Sequence, residues 1–263
     1  MCRIITISGK IDCLNKSGML CEFQRLGEYG KVPNNSEAGH KDGWGIVAYE
    51  EADLCLFDRN NKSALEDKVY LKTVEKLENK NTDIIIGHLR KVSIGAKNIN
   101  NTHPFVEKNY SFCQNGTIFE SEAIPLENKF KKIIKGSTDS ERFFVYILQI
   151  LNKYKKSDAA SVRKAIKKAV GYLRKNFDFT AVNMVFSDGK YIWGLREINV
   201  KNKFVKEENL SNYYYSLFFG EGDGYSVISS EKLGGNEIKW RAMENHELVE
   251  LDAKNKITKK YII

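Results

Sequence analysis

Apolar residues fall into short runs in the first half of the chain, two longer helical stripes in the middle, and short runs again toward the end. Residues 3–8, with Ile4, Ile5 and Ile7, read as a buried strand that begins immediately after Cys2. Residues 45–50 and 54–58 read as strands joined by an acidic turn, and the β-branched run Ile84, Ile85, Ile86 as another buried strand. Residues 110–113 approach Asn115-Gly116 and residues 117–119 leave it, the pattern of a hairpin turn. The first helix starts at Thr138, with Glu141 three residues on at capping-box spacing, and carries Phe143, Phe144, Ile147, Leu148 and Leu151 on one face. The second runs from about 158 to 175 on Val162, Ala165, Ile166, Ala169, Val170 and Leu173. Strand patterns resume at 179–187, 190–195, 212–219, 225–230 and 247–251. Strands, paired helices, then strands again predict an α+β fold, which two sheets with helices on their outer faces would satisfy.

Composition narrows the picture. The chain has 263 residues, ample for a full core, and one domain over 1–263 is expected. Lys and Arg total 42 against 34 Asp and Glu, but the basic residues are scattered in no tract longer than pairs such as Lys131-Lys132. A solvated surface, with no nucleic-acid partner, is the expectation. The five cysteines show no Cys-x-x-Cys pair, which points away from disulfides and zinc and toward a reducing, cytoplasmic setting. The chain start lacks the h-region of a signal peptide, and the apolar run 143–148 is too short to span a bilayer.

Candidate chemistry begins at Cys2. Removal of Met1 would free its α-amino group, whose ordinary pKa of about 7.7–8.0 lets the neutral amine accept the thiol proton in place of a histidine. Asp42-Gly43-Trp44-Gly45 is either backbone approaching a pocket or a turn entering a strand with Trp44 in the core. Arg90, after His88-Leu89, can offer a planar fork to a carboxylate or serve a structural ion pair. His88 and His103 lack a third ligand at metal spacing and read as hydrogen-bonding histidines, so no metal and no cofactor are expected. Asn115 and the Gly116 N–H can donate to a developing oxyanion. Asp139, at the positive end of a helix, can hold an ammonium group or simply cap.

The ordered set Cys2, Asp42-Gly43-Trp44-Gly45, His88-Leu89-Arg90, Asn101-Thr102-His103-Pro104-Phe105, Asn115-Gly116 and Thr138-Asp139-Ser140-Glu141 resembles the class II glutamine amidotransferases. These are N-terminal-nucleophile hydrolases; the similarity is to their stand-alone YafJ-like branch and extends to Ser229-Ser230-Glu231 and the region of Trp240 and Glu247. The resemblance implies a four-layer αββα sandwich of two mostly antiparallel sheets. It implies Cys2 as nucleophile, Arg90 for the α-carboxylate of glutamine, Asp139 for its α-amino group, and Asn115 with Gly116 as the oxyanion hole. Ser93 falls where the family often has a substrate-contacting threonine. Gln114 replaces a common histidine, and Lys91-Val92-Ser93 replaces a more usual aromatic-Ala-Thr. Implied partners are glutamine or a γ-glutamyl small molecule, with a separate synthase as ammonia acceptor or none. A relative that binds an amino acid without turnover is the alternative.

Overall fold

The computed structural model describes residues 2–10, 12–33, 36–254 and 257–263. Its strands and helices, in chain order, are β1 (Arg3–Gly9), α1 (Cys13–Tyr29), β2 (Trp44–Glu50), β3 (Asp53–Asn60), α2 (Lys68–Glu78), β4 (Ile84–Leu89), β5 (Phe105–Glu107), β6 (Tyr110–Asn115) and α3 (Asn128–Lys131). There follow α4 (Asp139–Leu151), α5 (Ala159–Asn176), β7 (Asn183–Ser187), β8 (Tyr191–Arg196), α6 (Lys203–Glu207), α7 (Leu210–Tyr213), β9 (Phe218–Gly222), β10 (Tyr225–Ser229), β11 (Lys239–Ala242), β12 (Glu247–Asp252) and β13 (Ile257–Ile262). The strands form two antiparallel sheets, β11-β9-β10-β1-β4-β2-β3 and β13-β12-β8-β7-β6-β5.

Side-chain alternation sorts the core into three slabs. On one face of the first sheet, Ile5, Ile7, Ile46 and Ile85 pack under Leu20 and Phe23 of α1 and Tyr70 and Val74 of α2. On its other face Ile4, Val47 and Ile86 meet Cys113, Val185 and Val249 of the second sheet. That sheet's outer face turns Phe112, Phe186, Trp193 and Leu195 toward Phe143, Phe144 and Ile147 of α4 and Val162 and Ile166 of α5. Helix, sheet, sheet, helix is the four-layer order. β1 and β4 lie between other strands and between two slabs, so every residue in them is buried and isoleucines dominate both, with Arg3, Thr6, Ser8 and His88 as the buried polar exceptions.

Four expectations need correction. Asn115-Gly116 turns no hairpin: β6 pairs with β5 and β7, and Ile118 makes only a single bridge to Phe179. Gly116 has φ +124°, and a Cβ there would lie 1.7 Å from the Ala181 carbonyl oxygen, so the glycine serves a close backbone crossing. Residues 212–219 are not one strand, because Tyr214 and Tyr215 fold into a satellite core with Val205 and Leu210 of α6 and α7 before β9 begins. Only 183–187 of the expected 179–187 strand joins the ladder; Phe179 and Ala181 make isolated bridges. The order is also not strands first, since α1 and α2 already cover the first sheet.

Both expected helices stand, with one change of detail. Thr138 caps α4 by accepting from the Glu141 N–H at 3.2 Å. The Glu141 carboxylate turns instead to the N–H groups of Lys135 and Gly136. Two ion pairs clamp α5 to the sheet: Arg163 to Glu250 at 2.5 Å, and Arg174 to Glu197 at 2.5 Å. Among the described residues no helix is long and apolar enough to cross a membrane.

Phe144 stacks on Phe112 with centroids 5.4 Å apart and also meets Phe186. Phe144→Ala should lose about 3–5 kcal/mol in urea unfolding, whereas Phe204→Ala, on the exposed face of α6, should stay within about 0.5 kcal/mol.

Candidate active site

Cys2 stands one residue before β1. Because Arg3 pairs with Leu89, the next residues outward, Cys2 and Arg90, are neighbours across the sheet. The thiol is buried; the Lys91 N–H donates to Sγ at 3.3 Å, and the Lys91 carbonyl lies 3.5 Å from it. Burial pushes the thiol pKa up, opposed by the Lys91 N–H and by the charges of Arg90 and Arg3. Such a thiol needs a base to become a nucleophile.

Arg90 is buried as well. Its backbone is tied to Gly43 and Asp42, the N–H to the Gly43 carbonyl at 2.8 Å and its carbonyl to the Asp42 N–H at 3.0 Å. Its guanidinium donates to the carbonyls of Ala96 at 3.1 Å and Ile94 at 3.3 Å, curling the 91–98 loop around itself. Lys91 Nζ donates to the Glu37 and Gly39 carbonyls, and Asp42 accepts the Val92 N–H at 2.9 Å, so two loops are sewn together beside Cys2.

The remaining candidates join through hydrogen bonds rather than through the chain. Ser93 Oγ accepts from Thr117 Oγ1 at 3.4 Å, and Thr117 directly follows Gly116. The next residue, Ile118, donates its N–H to Asp139 at 2.8 Å. The Asn115 amide reaches Ser230 Oγ at 3.1 Å, and that hydroxyl also accepts the N–H of Ile4, two residues from Cys2. Cys2, Arg90, Ser93, Asn115, Gly116 and Asp139 are thus brought to one end of the sandwich. Burial lifts the Asp139 carboxyl to about 6, against the lowering effect of the Ile118 N–H.

The other motifs support this end. Trp44 is core, its indole N–H on Asp67 at 2.9 Å. A Cβ on Gly45 would lie 2.3 Å from the His103 carbonyl, so Gly45 lets the 102–104 segment cross β2. His88 and His103 lie with ring centroids 4.2 Å apart, and burial lowers both, His88 to about 3. Both are neutral at ordinary pH. Among the described residues no three His, Cys, Asp or Glu side chains gather as metal ligands.

Sequence reasoning gave no role to Lys91, Thr117, Arg3 or Ser230. Arg3 is buried, with Nε 2.6 Å from Glu231, Nη1 3.0 Å from the Cys2 carbonyl, a bond to the Lys31 carbonyl and its guanidinium 5.0 Å from the Tyr214 ring centroid. A charged residue in a strand read as buried is the signal that marks it.

The sequence profile of the glutamine amidotransferases class-II family matches residues 13–259. The chain belongs to that family. Among its relatives is YafJ of Escherichia coli K12, 27% identical over 261 residues that cover 92% of this chain and 94% of YafJ. An uncharacterized protein of Methanocaldococcus jannaschii is 26% identical over 230 residues, and the match spans 80% of this chain but 61% of that protein's length. The fold matches a glutamine aminotransferase class-II domain protein of Silicibacter pomeroyi with a TM-score of 0.61 at 16% identity, covering 99% of each chain. It also matches the glutamine phosphoribosylpyrophosphate amidotransferase of B. subtilis, TM-score 0.64 at 14% identity, over 99% of this chain and 49% of that one.

Two outcomes test this geometry. Gly116→Ala should lose at least about 3 kcal/mol of stability, since both φ and the Ala181 contact oppose a side chain. For Asp139, the folded protein holds the proton more tightly than the unfolded chain, so its contribution to stability is lost as pH rises through about 6. Asp139→Asn keeps an acceptor for Ile118 without the buried charge. Calorimetry at pH 8 should therefore find Asp139→Asn more stable than wild type by about 1–3 kcal/mol, with the gap closing toward pH 4; a less stable variant at pH 8 would contradict the assignment.

Proposed function

We propose that the chain, acting as one unit over 1–263, hydrolyses the side-chain amide of glutamine or of a γ-glutamyl compound and releases ammonia through a thioester on Cys2. Met1, whose removal frees the Cys2 amine, lies outside the described residues. The reading rests above all on the hydrogen-bonded path that gathers a buried thiol, a buried carboxylate lifted to about 6 and a close-crossing glycine at one end of the sandwich.

In the first step the neutral Cys2 amine takes the thiol proton, and sulfur attacks the amide carbon. The carbonyl π pair moves onto oxygen, where the Asn115 amide and the Gly116 N–H receive it; losing one such donor typically costs about 10²–10³ in rate. The C–N bond then breaks as the Cys2 ammonium returns its proton to the leaving nitrogen, giving the thioester and ammonia from glutamine, or the corresponding amine from a substituted γ-glutamyl compound. Water attacks the thioester and loses a proton to the amine, the C–S bond breaks, and glutamate leaves with the thiol restored. Asp139 pairs with the substrate ammonium. Arg90 pairs with its carboxylate, two of the five guanidinium N–H groups being given to Ile94 and Ala96. Ser93 and Thr117 hydroxyls border the substrate. We place the reaction in the reducing cytoplasm, consistent with the free thiols of Cys2, Cys21, Cys55 and Cys113. The ammonia passes to a separate synthase or to solvent.

Ammonia release from glutamine should fall at least about 10³-fold in Cys2→Ala; wild-type turnover in that variant would exclude the mechanism. For the free enzyme, kcat/KM should fall as pH drops through about 6, where Asp139 gains its proton and can no longer pair with an ammonium.

A further inference from the structure

The Ser230 hydroxyl sits at a junction to which the proposed reaction assigns no role. It is 3% exposed and accepts two hydrogen bonds, from the Ile4 N–H at 3.0 Å and from Asn115 Nδ2 at 3.1 Å. A hydroxyl has two lone pairs and one hydrogen. With both lone pairs engaged, its hydrogen meets no acceptor among the described residues. Asn115 Oδ1, on the other arm of the same amide, is also buried without a partner. Each unmet group is a cost to the fold.

A half-turn of the Asn115 amide about its last bond exchanges Oδ1 and Nδ2 while leaving the shape of the side chain almost unchanged. Ser230 then accepts from Ile4 and donates to Oδ1, so both unmet groups are satisfied without movement of the backbone. Nδ2 now stands where Oδ1 stood, its two hydrogens unclaimed by the protein. One unmet group replaces two, and it is a donor. A donor held ready and unpaired is what an oxyanion hole requires.

We infer that Ser230 is a positioning residue: its hydroxyl donates to Asn115 Oδ1 and thereby commits Nδ2 to the substrate oxyanion. The inference rests on the proposed role of Asn115. It adds that the donor is selected by a residue 115 positions away in sequence, on the segment leaving β10. Ser230 itself is held by its backbone N–H on the Ile4 carbonyl at 3.0 Å, a bond that remains when the hydroxyl, and with it the acceptor of the Ile4 N–H, is removed.

Neutron diffraction from deuterated crystals of the full chain reads the orientation without reference to activity, because nitrogen, oxygen and deuterium scatter differently. The expected map shows the Ser230 deuteron directed at Asn115 Oδ1; an Asn115 deuteron directed at Ser230 Oγ overturns the inference. Kinetics supply the second arm. Ser230→Ala should lower kcat for glutamine about 10- to 100-fold with KM within about twofold, less than the full loss of a donor because the freed amide still samples the productive orientation. Ser230→Thr, which keeps the hydroxyl, should recover most of the rate. Adding Ser230→Ala to Asn115→Ala should cost nothing further, whereas a merely structural role predicts that the two losses multiply. Should the wild-type chain release no ammonia, the functional reading fails, while the neutron map still decides the orientation.

Discussion

Pairing of β1 on both sides is the constraint from which the rest follows. Arg3 opposite Leu89 and Ile5 opposite Ser229 fix the strand between β4 and β10 from its first residues. Cys2 therefore has little freedom of its own: it emerges where the ladder ends, with its thiol on the backbone of Lys91. A residue so near a chain start would ordinarily fray. Here a buried strand, paired on both sides, carries the ordering cost of the proposed nucleophile at its end.

The same end of the sandwich concentrates buried charge. Arg3, Arg90 and Asp139 are each nearly inaccessible, and a buried charge is costly unless it is paired or hydrogen-bonded. Arg3 has Glu231 and two backbone carbonyls. Arg90 hydrogen-bonds backbone carbonyls, with the Asp42 charge nearby and no carboxylate paired to it among the described residues, and Asp139 has backbone N–H groups and a carboxyl pushed toward neutrality. The contrast with Arg163–Glu250 and Arg174–Glu197, complete pairs that clamp α5, separates groups arranged for stability from groups left wanting a partner. An amino acid carries the complementary pair, a carboxylate and an ammonium.

Much of this was legible in the sequence, for identifiable reasons. Strands buried on both faces announce themselves as isoleucine-rich runs with few polar breaks, which made β1 and β4 readable, and helical spacing of apolar residues did the same for α4 and α5. Helix α1 was missed because Met19, Leu20, Phe23 and Leu26 are diluted by polar residues and two glycines. The Asn115-Gly116 hairpin failed because local turn chemistry cannot report that Ala181 lies against Gly116. Tyr214 and Tyr215 carry strand propensity, but tertiary packing against Val205 and Leu210 overrode it. At the site, residue types and their order pointed to six side chains. What order cannot supply is the hydrogen-bonded links between them, Lys91 to Cys2, Thr117 to Ser93 and Asn115 to Ser230, which depend on how distant segments cross.

The central claim, that Cys2 is the nucleophile and its own amine the base, is tested most directly by mass spectrometry of the intact protein before and after a glutamine-analogue electrophile. The account predicts a chain lacking Met1 that gains a single adduct, located on Cys2, with ammonia release lost in step. Full activity in a chain that keeps Met1, or inactivation by an adduct on another residue, would contradict it.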